Sequence, residues 1–126
     1  LAWFGQDLFE KAAATKGTDS ADYRTARELS RRLARDEGID RLVREHTLDA
    51  LVAITAGPAW TSDLVNGDHY SGPSASQLPA VAGYPHLTVP MGRVHGLPVG
   101  LSFIGNAWSD GAILALGAAY ERARGR

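Results

Sequence analysis

Along the first 46 positions apolar residues return at three- and four-residue intervals, whereas from Leu48 onward they gather into short blocks. The first pattern is that of helices with one buried face, the second that of strands. Trp3, Phe4, Leu8 and Phe9, followed by Ala12 to Ala14, predict a helix ending near Thr15 or Gly17. Asp19 or Ser20 can cap a second helix running to about Asp36, with Ala26, Leu29 and Leu33 on its apolar side and Glu28 and Arg32 as an i,i+4 pair. Gly38 stops it, and a short third helix, Ile39 to Glu45, carries Leu42 and Val43. His46 falls at its end, where a cation meets the helix dipole favourably.

The period then changes. "LDALVAIT", Leu48 to Thr55, is continuously apolar up to Gly57-Pro58 and predicts a strand covered on both faces. The polar stretch "AGPAWTSDLVNGDHYSGPSAS" that follows fits no regular element, and loops of that length inside a domain usually carry function. Ser74 or Ser76 can cap a short helix through Ala82. Two strand-length runs, His86 to Met91 and Pro98 to Ile104, are joined by "GRVHGL" and predict an antiparallel hairpin. Ser109 can cap a last helix whose stripe is Ile113, Leu114, Leu116, Ala118 and Tyr120. This order of elements predicts an α/β fold, a mixed sheet with covering helices: positions 1–46 form a helical layer, and 47–126 hold the strands, a pocket loop and the final helix. Three strands are few for a sheet between helical layers, so the chain reads as part of a larger fold.

Composition narrows the classes. A chain of 126 residues suits one domain, and at 44% hydrophobic and 21% charged it can bury a core. The charge is concentrated early: 18 of the 27 charged residues precede position 47, as a solvated helical layer requires. A net charge of −1 gives no electrostatic ground for nucleic acid or an acidic membrane surface, and neither is expected as a partner. There is no cysteine, which removes disulfides, thiolate metal sites and cysteine nucleophiles together. No apolar run approaches the roughly 20 residues of a membrane span. The opening "LAWFGQDLFE" lacks the basic-then-apolar order of a secretory signal, so the cytoplasm is the expected compartment. It does not begin with Met, and the natural chain is expected to start further upstream.

Four chemistries can be weighed from the residues. His46, His69, His86 and His95 have no metal-motif spacing, so no metal or other cofactor is expected. Asp68, His69, Ser71, Ser74 and Ser76 crowd together without a GxSxG elbow, which favours turn chemistry over a serine nucleophile. Gly92, Gly96 and Gly100 precede a strand instead of opening a helix, so they read as turn and close-packing positions rather than a phosphate cradle. Trp60, in the polar loop just past a strand end, stands where α/β sheets bind ligands, or else packs under its own loop.

Four segments carry a resemblance: "DALVAITAGPAW" (Asp49 to Trp60), "NGDHY" (Asn66 to Tyr70), "AVAGYPHLTVPMGRVHGLPVGLSFIG" (Ala80 to Gly105) and "WSDGAILALGAAYERA". With the early "WFGQDLFEKAAAT", they resemble the C-terminal end of amidase signature family enzymes, over essentially the whole chain. Ile54, where a proline commonly follows the strand, and Ala56, in place of a glycine, depart from the family's pattern. The resemblance implies an amide hydrolase using a Ser–cis-Ser–Lys triad, fragment of the larger amidase signature fold, whose lysine and serines lie upstream. No catalytic residue is therefore expected here, and the chain alone is expected to be inactive. His86 and His95 become surface or turn residues of a scaffolding hairpin. Trp60, Asp63, Asn66 and Tyr70 are the expected wall of a pocket for a small-molecule amide. Two alternatives stand beside this reading: the glutaminase-type A subunit of a tRNA-dependent amidotransferase, and a non-catalytic binding or assembly domain. An incomplete sheet should expose apolar surface, so self-association is expected.

Overall fold

The computed structural model describes residues 5–70 and 72–125. Helix α1 (Asp7–Ala13) ends slightly earlier than the apolar spacing suggests. Its Leu8 and Phe9 are exposed, and Trp3 and Phe4, assigned to the same helix, lie outside the described residues. Ser20 caps α2 (Ala21–Ala34), its hydroxyl accepting the Tyr23 N–H at 3.3 Å. The helix does not stop cleanly at Gly38. It loosens into a π-turn, Arg35–Ile39, whose kink falls on Gly38 at φ −104° and ψ −107°, and then continues as α3 (Asp40–His46). Arg32 faces Glu37 at 3.5 Å just before this kink; both side chains are about half exposed, so the pair contributes little.

Strand β1 (Leu51–Ile54) precedes the long loop, α4 (Gln77–Ala82) closes it, and β2 (His86–Val94) and β3 (Leu97–Ile104) form the hairpin. The turn between them is only His95-Gly96, both at positive φ, as a two-residue turn of the primed kind requires. β2 therefore runs beyond Met91 to Val94, and a bulge between Pro90 and Gly92 absorbs the extra residue. Pro90 is tolerated because β2 is an edge strand. Helix α5 (Asp110–Arg124) completes the chain. Ser109 sits at its N-cap, but its hydroxyl turns back to the Asn106 carbonyl at 2.8 Å and caps nothing. Ser76 likewise makes no cap for α4 and pairs with Ser74.

The sheet order is β1-β3-β2 and every described pair is antiparallel, so the expected mixed sheet is corrected to an antiparallel one within this chain. Directly paired residues point to one face. On one side Ile104 and Leu51 pack with Ala34, Ile39, Val43, Ala75, Ala82 and Tyr84 beneath the α2–α4 layer. On the other, Val89 and Phe103 pack with Leu87, Leu101, Ile113, Leu116 and Tyr120 under α5. Gly117 lets that helix approach closely, since a Cβ there would fall 2.3 Å from Leu87 Cδ2. α5 lies over β2 and β3 rather than β1. For that reason β1, expected to be covered on both faces, leaves Val52 and Ile54 exposed.

A polar latch joins the first layer to the hairpin. Tyr84 donates its hydroxyl to Asp40 Oδ2 at 2.6 Å, and Arg35 donates to the Ala82 carbonyl at 2.6 Å while stacking 5.2 Å over the Tyr84 ring. Burial, then the bond to Asp40, pushes the Tyr84 phenol up to about 12, so it stays a donor.

Candidate functional site

The long loop leaves the sheet just after β1 and is pinned where it returns. Ala56 and Ser74 form an isolated antiparallel bridge, and the Ala75 N–H donates to the Thr55 carbonyl at 3.0 Å. Gly57 and Gly72 meet at this neck, where a Cβ on Gly72 would lie 3.4 Å from Gly57 Cα. The loop is therefore held at its base and exposed at its tip.

Two pairs form within it. Trp60 and Tyr70 meet edge to face, with ring centroids 5.0 Å apart and planes at 83°. The Tyr70 hydroxyl donates to the Pro73 carbonyl at 3.1 Å, which ties the pair to the neck. Both rings remain almost half exposed, 45% and 46%, so they offer an open aromatic surface. Asp63 and Asn66 form the second pair. Asp63 Oδ1 accepts the N–H groups of Val65 and Asn66, each at 2.9 Å, and Oδ2 accepts the Asn66 side-chain amide at 3.0 Å. This is an Asx turn, which lifts Leu64 and Val65 into solvent at the tip. The structure thus joins Trp60 to Tyr70 and Asp63 to Asn66. The aromatic pair presents a surface, while the polar pair spends its hydrogen bonds on the loop itself.

Chiefly because of the Asn66 N–H, then the Asn66 amide and the Val65 N–H, the Asp63 carboxyl is held below its ordinary value of 3.8. A lowered native value means that the turn gains from ionisation above the ordinary value and loses that gain as the pH falls through the native one. The Val65 and Asn66 amide resonances should accordingly hold steady above about pH 5 and shift on acidification below about pH 4. Resonances that stay fixed down to about pH 2 would contradict the turn.

Among the described residues the crowded serines do not assemble a nucleophile. Asp68 Oδ1 accepts the Asp63 N–H at 3.3 Å, Ser74 and Ser76 share a bond of 3.0 Å, and Ser71 lies outside the described residues. Among the described residues no three His, Cys, Asp or Glu side chains converge on a metal position.

One polar cluster is absent from the sequence reading. His86, taken there as a surface or turn residue, lies half buried on β2 with Nε2 2.6 Å from Ser102 Oγ. Ser102 Oγ is 2.8 Å from Thr55 Oγ1, which donates to Thr88 Oγ1 at 3.3 Å. Ser102 lies within hydrogen-bond reach of the imidazole, but it is 0% exposed and cannot reach a substrate carbonyl. Its signal was the polar interruption of two apolar runs, by Thr88 in "HLTVP" and by Ser102 in "LSFI".

No family model matches the chain. Among solved structures it is similar to a peptide amidase in complex with the competitive inhibitor chymostatin: 50% identity, TM-score 0.92, covering 100% of this chain and 26% of that one. A bacterial aryl acylamidase belonging to the amidase signature enzymes is 27% identical with a TM-score of 0.67, over 97% of this chain and 27% of that one. A probable amidase of Arabidopsis thaliana is 31% identical over 121 residues, 95% of this chain. The chain spans about a fifth of that curated relative's length and about a quarter of the solved chains. No described helix is long and apolar enough to cross a membrane.

Proposed function

This chain is homologous to the C-terminal part of amidase signature family enzymes, and we propose that it is the scaffold and one pocket wall of an amidase that hydrolyses the amide bond of a peptide-derived substrate. The observation that carries the reading is 50% identity over the full chain to a peptide amidase, at a TM-score of 0.92. In such a reaction a serine oxygen attacks the amide carbonyl, the amine leaves with a proton, and water releases the acid. The groups that break the bond are assigned to residues outside this chain. Lys11 and Lys16 are the only lysines here, and Lys11 lies in the last turn of α1.

What this chain contributes is position and surface. The sheet and its helical layers hold the loop neck, and the Trp60–Tyr70 pair covers an apolar group of the substrate while the Asp63–Asn66 turn keeps the loop in shape. Assay of the whole enzyme on peptide amides tests this, with Trp60→Ala as the probe. Losing an exposed aromatic contact is expected to raise KM by about 5- to 20-fold with kcat little changed, as removal of uniform binding does. A Trp60→Ala enzyme with unaltered KM on every amide tried would remove the loop from the pocket.

A further inference from the structure

The hydroxyl chain beneath the loop takes one consistent direction if Thr55 is the donor to Thr88. Thr55 Oγ1 donates to Thr88 Oγ1 at 3.3 Å, and a hydroxyl has one proton to give. With that proton given to Thr88, Thr55 Oγ1 is the acceptor in its 2.8 Å contact with Ser102 Oγ, a contact that allows either donor. That commits the Ser102 proton to Thr55, so Ser102 accepts in turn across the 2.6 Å contact with His86 Nε2. In this arrangement the His86 proton is on Nε2, and the chain runs His86 to Ser102 to Thr55 to Thr88.

Thr55 matters in this chain because of what else it holds. The Thr55 N–H donates to the Gly100 carbonyl at 2.9 Å, and its carbonyl accepts the Ala75 N–H at 3.0 Å. Every polar atom of Thr55 is thus engaged, two on the backbone at the loop neck and one on the chain. Gly100 keeps the space for it: a Cβ there would fall 2.6 Å from Thr88 Cγ2 and 2.9 Å from Thr55 Oγ1.

We infer that His86 is a positioning residue, which through buried Ser102 fixes Thr55 and hence the neck of the loop that carries Trp60 and Tyr70. The inference deepens the reading of that loop as a pocket wall and rests on it. Without the His86 donor, the buried Ser102 hydroxyl is left with an unsatisfied acceptor, and the neck gains alternative positions in which the aromatic pair is misplaced. The pocket-ready fraction falls and apparent substrate affinity falls with it.

The experiment uses the whole enzyme and two pairs of variants. His86→Leu removes the donor, whereas His86→Gln offers a side-chain N–H in its place. Thr55→Val removes the hydroxyl at nearly constant shape, and Thr55→Ser keeps it. His86→Leu and Thr55→Val should raise KM by about three- to tenfold with kcat within about twofold, and the Gln and Ser variants should stay near wild type. Imidazole nitrogen NMR of the wild type near pH 8 should place the His86 proton on Nε2, and the Ala75 amide should exchange faster in Leu and Val than in Gln and Ser. A proton on Nδ1 would overturn the inference, as would unchanged KM in an enzyme that turns over amides. Should the wild type turn over no amide, the proposed function fails on its own; the Nε2 proton and Ala75 exchange then decide the positioning role, with equal exchange in all variants overturning it. Should His86→Leu not fold, the Thr55 pair gives the same decision.

Discussion

Shortening Ile113 to alanine is expected to destabilise the fold by about 3 kcal/mol, within the usual range for a buried isoleucine, whereas Leu114→Ala next to it should cost less than about 0.5 kcal/mol. The sequence puts both in one apolar stripe of α5, and the structure separates them. Ile113 is 2% exposed and packs with Val89 and Phe103 between helix and sheet, while Leu114 is 60% exposed. The deleted methyl groups of Ile113 leave a cavity that Gly117 cannot help to fill, because it has no side chain and already touches the Leu87 region closely. Urea unfolding of the two variants against wild type measures the contrast. Equal midpoints for both would mean that α5 does not dock on the sheet as described.

That contrast marks how far the sequence could be read. The hairpin was legible because its strands are apolar, its turn has Gly96, and its flanks carry proline. Helices α2 and α5 were legible from their spacing, and the cap at Ser20 from its residue type. The α/β class with covering helices was visible in the order of elements. Strand direction was not, since it depends on which strands become neighbours, and here β3 lies between β1 and β2.

The His86–Ser102 bond was hidden for a more specific reason. Counted back from the His95-Gly96 turn without interruption, Ser102 would oppose Val89 and face α5. The bulge between Pro90 and Gly92 shifts the register by one residue, so that Ser102 opposes Thr88 and faces Thr55 and His86 instead. Nothing in the local sequence pattern announces that bulge. In the loop, Trp60 and Tyr70 were chosen for their residue types, but their contact depends on a neck closed by Ala56 and Ser74, which are far apart in the chain.

The second large effect concerns the chain by itself. Amide hydrolysis needs an activated nucleophile, a base in reach of it, and donors for the oxyanion, all placed together. Among the described residues Ser102 is hydrogen-bonded to a histidine, but it is sealed from solvent. Ser74 and Ser76 are exposed but bond to each other. The Trp60–Tyr70 surface can hold part of a substrate without breaking it. The isolated 126-residue chain is thus expected to release no ammonia from peptide amides. The same preparation should self-associate, because the outer edge of β1 has no described partner and Val52 beside it is 57% exposed. A monodisperse monomer by light scattering would contradict that part.

The most direct test of a scaffold-and-wall role is ammonia release measured side by side for the isolated chain and for the whole enzyme, on the same peptide amides. Turnover by the whole enzyme alone, with KM sensitive to Trp60→Ala, is the predicted result. Turnover by the isolated chain, abolished by Ser74→Ala or Ser76→Ala, would place the chemistry in the loop and contradict the assignment.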